Sequence, residues 1–218
     1  YGGTLRNCTL TNNSAVDYSP GGGGGFRSTL YSFALVNNEA ASVFAPKMYF
    51  PVPAGRGGGA SGSTLHNCTI TGNSANRWGG GVYGGTLYDC TLSGNSAVIG
   101  GGADKGTLHN CTLTGNSARN VGGGASGGTL HNCTLAGNSA DYGGGADRST
   151  LYNCTLTGNE AWAKGGGASG STLNNCIVYF NHASDGANWV VDFDGNPPKF
   201  EYSCTTPLPA GPGNMDAD

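Results

Sequence analysis

Cysteine recurs in this chain at a spacing that invites a metal or disulfide reading. Cys68, Cys90, Cys111, Cys133, Cys154 and Cys176 lie 22, 21, 22, 21 and 22 residues apart. No paired Cys-x-x-Cys spacing exists, so the pattern does not describe a zinc site. Each thiol sits in the frame Thr-Leu-x-(Asn/Asp)-Cys-(Thr/Ile)-(Leu/Ile/Val). One inward cysteine per repeat describes a column in a stacked fold. Neighbouring Cα atoms would then lie about 4.8 Å apart, but parallel Cβ vectors keep the Cβ atoms too far apart for a disulfide. The expectation is a ladder of free, buried thiols.

Other chemistry-bearing residues fall into columns too. Asp104-Lys105 and Asp147-Arg148 occupy equivalent corners two coils apart. Neither pair has a partner within proton-transfer reach, so both are read as solvated corner charges. Gly143-Gly-Gly-Ala-Asp147 has the look of a calcium-binding GGxGxD element, but the nine-residue period that element needs is absent. His66, His109 and His131 stand two residues before a cysteine, and Tyr88 and Tyr152 share that position. This mixture reads as an outer surface column rather than a metal site. Thr69 and Thr71, Thr112 and Thr114, and Thr155 and Thr157 put two hydroxyls per repeat on one face. The array is similar to the Thr-x-Thr face of β-helical ice-binding proteins. Ordinary strand propensity and packing between threonines account for it as well. Asn7, Asn67, Asn110, Asn132 and Asn153 lie in Asn-Cys-Thr, formally a glycosylation acceptor. No residue is assigned a catalytic or metal-ligating role, and no cofactor is expected.

The element that positions all of these is the repeat. An asparagine follows each cysteine by five residues: Asn73, Asn95, Asn116, Asn138 and Asn159, with Asn181 after Cys176. A Gly-Gly-Gly run closes each central repeat. Alternating three-residue and two-residue spacers before the glycines produce a 43-residue double repeat. Glycine triplets exclude a helix. In Asn-Cys-Thr-Leu-Thr apolar residues alternate with polar ones, the mark of a half-buried strand with Cys and Leu inward. One such strand cannot bury its face alone, so identical coils must stack. The asparagine row fits a corner whose amides hydrogen-bond from coil to coil. Leu108-x-x-Cys111-x-Leu113-x-x-Asn116 also fits half of a leucine-rich repeat, but the second half offers no helix. The prediction is an all-β parallel β-solenoid of about nine coils of 21–22 residues.

Leu113-Thr-Gly-Asn116-Ser-Ala followed by Gly122-Gly-Gly-Ala125 resembles the repeat of polymorphic outer-membrane proteins and related pectin-lyase-like surface proteins. Those repeats pair an F-x-x-N element with a G-G-A-I element; here Leu stands for Phe, and Ala-Ser or Ala-Asp follows the glycines. The resemblance spans about residues 57–180. It implies a right-handed parallel β-helix, export, and a surface or adhesive role.

The remaining features set the boundaries. Glycine makes up 42 of 218 residues without a Gly-X-Y period, which excludes collagen. A formal charge of −3 and no basic patch argue against nucleic acid. No apolar run is long enough for a membrane helix. Tyr1-Gly-Gly-Thr-Leu5 repeats Tyr83-Gly-Gly-Thr-Leu87, so the natural product is expected to be longer or processed. Residues 1–204 form the solenoid, with an apolar, proline-punctuated insertion at about 41–56 and an irregular segment at about 182–198. Residues 205–218 form an extended tail. Phe44, Met48, Tyr49, Phe50, Trp189 and Phe193 lie in the two apolar segments and are assigned to an end-to-end assembly interface. The expected function is a non-enzymatic extracellular structural or adhesive module that self-associates and takes a glycan or cell-surface ligand. A carbohydrate-binding or lyase-like β-helix and ice binding through the threonine face are the alternatives.

Overall fold

The computed structural model describes residues 3–16, 25–41, 55–191, 195, 198–207 and 209–216. Short strands follow one another around a coil, four to a turn. In coil five these are Thr107–His109, Thr112–Thr114, Ser117–Val121 and Ala125–Ser126. Equivalent strands of successive coils pair in parallel. They build four sheets, here called faces one to four, of nine, nine, eight and eight strands. Register is kept residue for residue: Leu87 pairs with Leu108, and Leu108 with Leu130.

The expected single strand through Asn-Cys-Thr is two strands with a corner between them. Asn110 takes a left-handed conformation with φ of 54°, as do its equivalents Asn67, Asn132 and Asn153. Asparagine tolerates that region better than most residues with a side chain. The bend explains how Leu108 and Cys111, three residues apart, both point inward.

The core is unequal around the coil. Leucines from faces one and two fill it, for example Leu108 and Leu113, both fully buried. Faces three and four contribute mainly alanines there, such as Ala118 and Ala125, with Val82 in the Ala125 position in coil three. Each buried leucine contributes roughly 1.5–3 kcal/mol. The glycine runs let the far wall come close. A Cβ on Gly123 would collide with the carbonyl oxygens of Ser139 and Gly144, so no larger residue fits. Coil two puts Phe33 in the cysteine column, fully enclosed.

The C-terminal coils depart from expectation. The segment anticipated as irregular opens with two in-register strands. His182–Asp185 pairs with Glu160–Lys164, and Trp189–Val190 with Ala168–Ser169. In coil nine Ser203, not Cys204, takes the cysteine column, and its hydroxyl accepts the Cys176 N–H at 3.0 Å. Beyond it the tail turns back across the last coil. Tyr202 N–H donates to Pro212 O at 2.8 Å, and Met215 N–H to Ser203 O at 2.9 Å. Asn214 accepts the Ser203 N–H at 3.0 Å. These bonds occupy backbone groups that an open last coil would leave bare.

Candidate interaction surface

Inside the rod, the asparagine row forms a continuous amide ladder. The Asn116 side-chain oxygen accepts the Asn95 backbone N–H at 3.0 Å and its Nδ2 at 2.9 Å. Asn116 Nδ2 donates to Leu92 O and to Asn138 Oδ1, each at 3.0 Å. Two donors and two acceptor sites are thus all used, which is what a fully buried amide requires. The ladder runs from Asn13 through Asn38, Asn73, Asn95, Asn116, Asn138, Asn159 and Asn181 to Asn188.

The cysteines form a parallel ladder. All eight are free thiols. Cys111 N–H points to Cys133 Sγ at 3.4 Å, and Cys111 Sγ–H donates to His109 O at 3.3 Å. The Cys90 thiol is pushed up to about 12 by its hydrogen bond to Cys111 and by burial. Cys111 is held at about 12 in the same way, by Cys133 and burial. Cys90 and Cys111 are thereby held in the protonated form.

Outside, the columns differ. The histidines join a continuous aromatic stack on face one: Tyr31, His66, Tyr88, His109, His131 and Tyr152, with ring centroids 4.7–5.0 Å apart and planes within 10°. Ring faces are spent on one another, so the column presents edges. No group of three or more His, Cys, Asp or Glu side chains placed to hold a metal exists among the described residues.

The corner asparagines form a second, exposed amide ladder. Asn110 Nδ2 donates to Asp89 Oδ1 at 3.1 Å, Asn132 to Asn110 at 3.2 Å, Asn153 to Asn132 at 3.1 Å and Asn175 to Asn153 at 2.7 Å. The sequence marked Asn110, Asn132 and Asn153 only as glycosylation acceptors and did not single out Asn175. Beside them on face two run the threonine columns: Thr69, Thr91, Thr112, Thr134 and Thr155 in one, and Thr71, Ser93, Thr114, Ala136 and Thr157 in the other. Thr71 and Ser93 hydroxyls meet at 2.9 Å.

In the last coils these outer columns change character. Ile177 and Tyr179 follow Thr155 and Thr157. Phe180 takes the left-handed corner, φ 57°, that Gly115, Gly137 and Gly158 occupy in earlier coils. It is 78% exposed. A bulky residue there is strained. Tyr202, φ 51°, stands where the outer ladder has asparagine and is 62% exposed. Sequence reasoning missed both, although aromatic residues at glycine and asparagine positions of a repeat are a legible signal. Trp189 is half-buried: it donates Nε1–H to Pro207 O at 2.9 Å, and its ring lies 5.7 Å from Phe200. It packs the rod's own C-terminal coils. Phe44, Met48, Tyr49, Phe50 and Phe193 lie outside the described residues.

The aspartates correct the sequence expectation. Asp104 and Asp147 are 2% and 3% exposed, not solvated. Their side chains lie in the concave turn where face three meets face four, and the Asp104 Cβ sits against Gly100. Only glycine leaves room there. Burial raises the Asp104 carboxyl to about 6, with Lys105 and Arg56 offsetting part of that rise. Arg56 spans the rings of Trp78 and Tyr83 at 4.8 and 4.9 Å. Lys105 and Arg148 are exposed at the corner.

A sequence profile for the Chlamydia polymorphic membrane protein repeat matches residues 67–85, close to one coil. No curated protein matches the chain. Among solved structures, trypsin-treated QnrB1, a plasmid-mediated fluoroquinolone resistance protein, shares 15% identity over 99% of this chain and 92% of its own, with a TM-score of 0.45. A glycosylated TibA fragment shares 16% identity over 89% and 97%, with a TM-score of 0.17. Likeness this distant says nothing of function. The stacked parallel coils with their asparagine and cysteine ladders make this chain a β-solenoid repeat protein, one of whose coils matches the polymorphic membrane protein repeat.

Proposed function

We propose that the protein is a non-enzymatic, extracellular adhesive rod that engages other surfaces through its C-terminal third. One observation carries this reading. Of the eight exposed large apolar side chains among the described residues, seven lie at or after Tyr152. The preceding coils carry amides, hydroxyls and packed ring edges. Exposed apolar side chains gathered toward one end of the described residues, Ile177 and Phe180 three residues apart among them, are the mark of an interaction surface. The buried asparagine and cysteine ladders serve the scaffold.

Self-association belongs to the same reading. The tail covers the last coil, so end-to-end stacking requires the tail to move. Sideways contact through Ile177 and Phe180 does not. Negative-stain electron microscopy with light scattering tests this on the native chain and on an Ile177→Thr/Phe180→Gly variant. These two changes restore the residues of the earlier coils. The expected result is assemblies of the parent and single rods of the variant. A parent that stays monomeric at every concentration and fails to adsorb to cell surfaces removes the adhesive reading.

A further inference from the structure

The geometry points to a binding strip for a neutral polysaccharide along the corner between faces one and two, from Asn110 to Tyr202. The inference rests on the adhesive reading and names the ligand class of one surface. Its first support is the outer amide ladder. Asn110, Asn132 and Asn153 each give one N–H to the preceding coil and accept one from the following coil. The amides are thereby held in a single orientation. Each keeps a second N–H and further acceptor capacity for a ligand. The result is a row of fixed donor–acceptor pairs at the coil spacing of about 4.8 Å, with the exposed Thr112 and Thr134 hydroxyls beside its first coils and Ile177 beside Asn175.

The second support is the end of the row. After Asn175 the column ends in Tyr202, whose ring lies against the backbone of Gly213 in the returning tail. A Cβ on Gly213 would collide with ring atoms Cδ1 and Cε1. The ring is thus propped from one side while 62% of the residue stays exposed. A held aromatic face beside oriented amides suits a sugar ring, whose C–H face packs on an aromatic while its hydroxyls donate and accept. Asp89 at one end and Glu201 next to Tyr202 put carboxylates beside the strip, and Lys199 is the one exposed cation on the Glu201 strand. A phosphate or sulfate chain would lie against these carboxylates. An extended glycan lying along the rod meets a new amide at every coil.

Affinity electrophoresis of the folded chain in gels containing laminarin, xylan, mannan or dextran tests the strip, with heparin as the anionic control. Retardation by at least one neutral polymer and none by heparin is expected. Tyr202→Asn, which continues the ladder, should weaken retardation about tenfold, and Tyr202→Phe should preserve it. Asn153→Asp should weaken it while thermal unfolding stays near the parent's. No retardation by any neutral polymer, retardation by heparin alone, or an unchanged Tyr202→Asn variant overturns the proposal. If rods assemble or adhere but bind no polymer, the strip fails and the adhesive reading stands.

Discussion

Two asparagine columns run along this rod, one inside and one on an outer corner, joined by the same Nδ2-to-Oδ1 bond. The inner amides from Asn73 to Asn159 are fully buried and use every donor and acceptor, including two bonds to backbone groups of the preceding coil. The outer amides bond mainly to each other and face water. One ladder replaces solvent for a buried corner; the other orders groups that solvent would satisfy anyway. The same residue type and spacing therefore specify register inside and a patterned surface outside.

That contrast can be broken at the inner ladder first. Asn116→Ala leaves donors and acceptors of Asn95, Leu92 and Asn138 unpaired in the core. The expected loss is about 3–5 kcal/mol, read by thermal or denaturant unfolding. A loss below about 1 kcal/mol would mean that water enters the corner and the ladder is not a structural requirement.

The buried carboxyl sharpens the comparison, because Asp104 Oδ2 is buried and has no hydrogen-bond partner. Its folded pKa, about 6, is raised above the ordinary 3.8. Ionisation therefore opposes folding: the rod is most stable below pH 4 with respect to this group and loses stability as pH rises through 6. Asp104→Asn should raise stability by about 1–3 kcal/mol at pH 8 and leave it unchanged near pH 4. A variant equally or less stable at pH 8 would show the carboxylate to be paired in solution.

The smallest effect is expected outside. Asn132→Gly removes one outer amide and keeps the left-handed corner free of strain. Stability should stay within about 0.5 kcal/mol of the parent. A loss as large as that of Asn116→Ala would erase the distinction between the columns.

Most of the scaffold was legible because each repeat restates it. The cysteine and leucine columns, the threonine face and the inner asparagine row all follow from residue type and period. The aspartates did not follow, because burial at that position depends on the concave turn between faces three and four. Phe180 and Tyr202 depart from the repeat, so no period reports them. The second amide ladder was invisible because hydrogen bonding between coils depends on a left-handed corner that no period reports.

The amino-acid sequence by itself determined the coil: its length, its inward residues, its glycine wall and its number of turns. Local preferences and hydrophobic alternation act within one repeat and are copied into the next. Only the tertiary structure decided which polar groups are enclosed, which ring faces are spent on each other, and where the tail lies. Those outcomes depend on distances between coils and across corners, which are set when the whole stack closes.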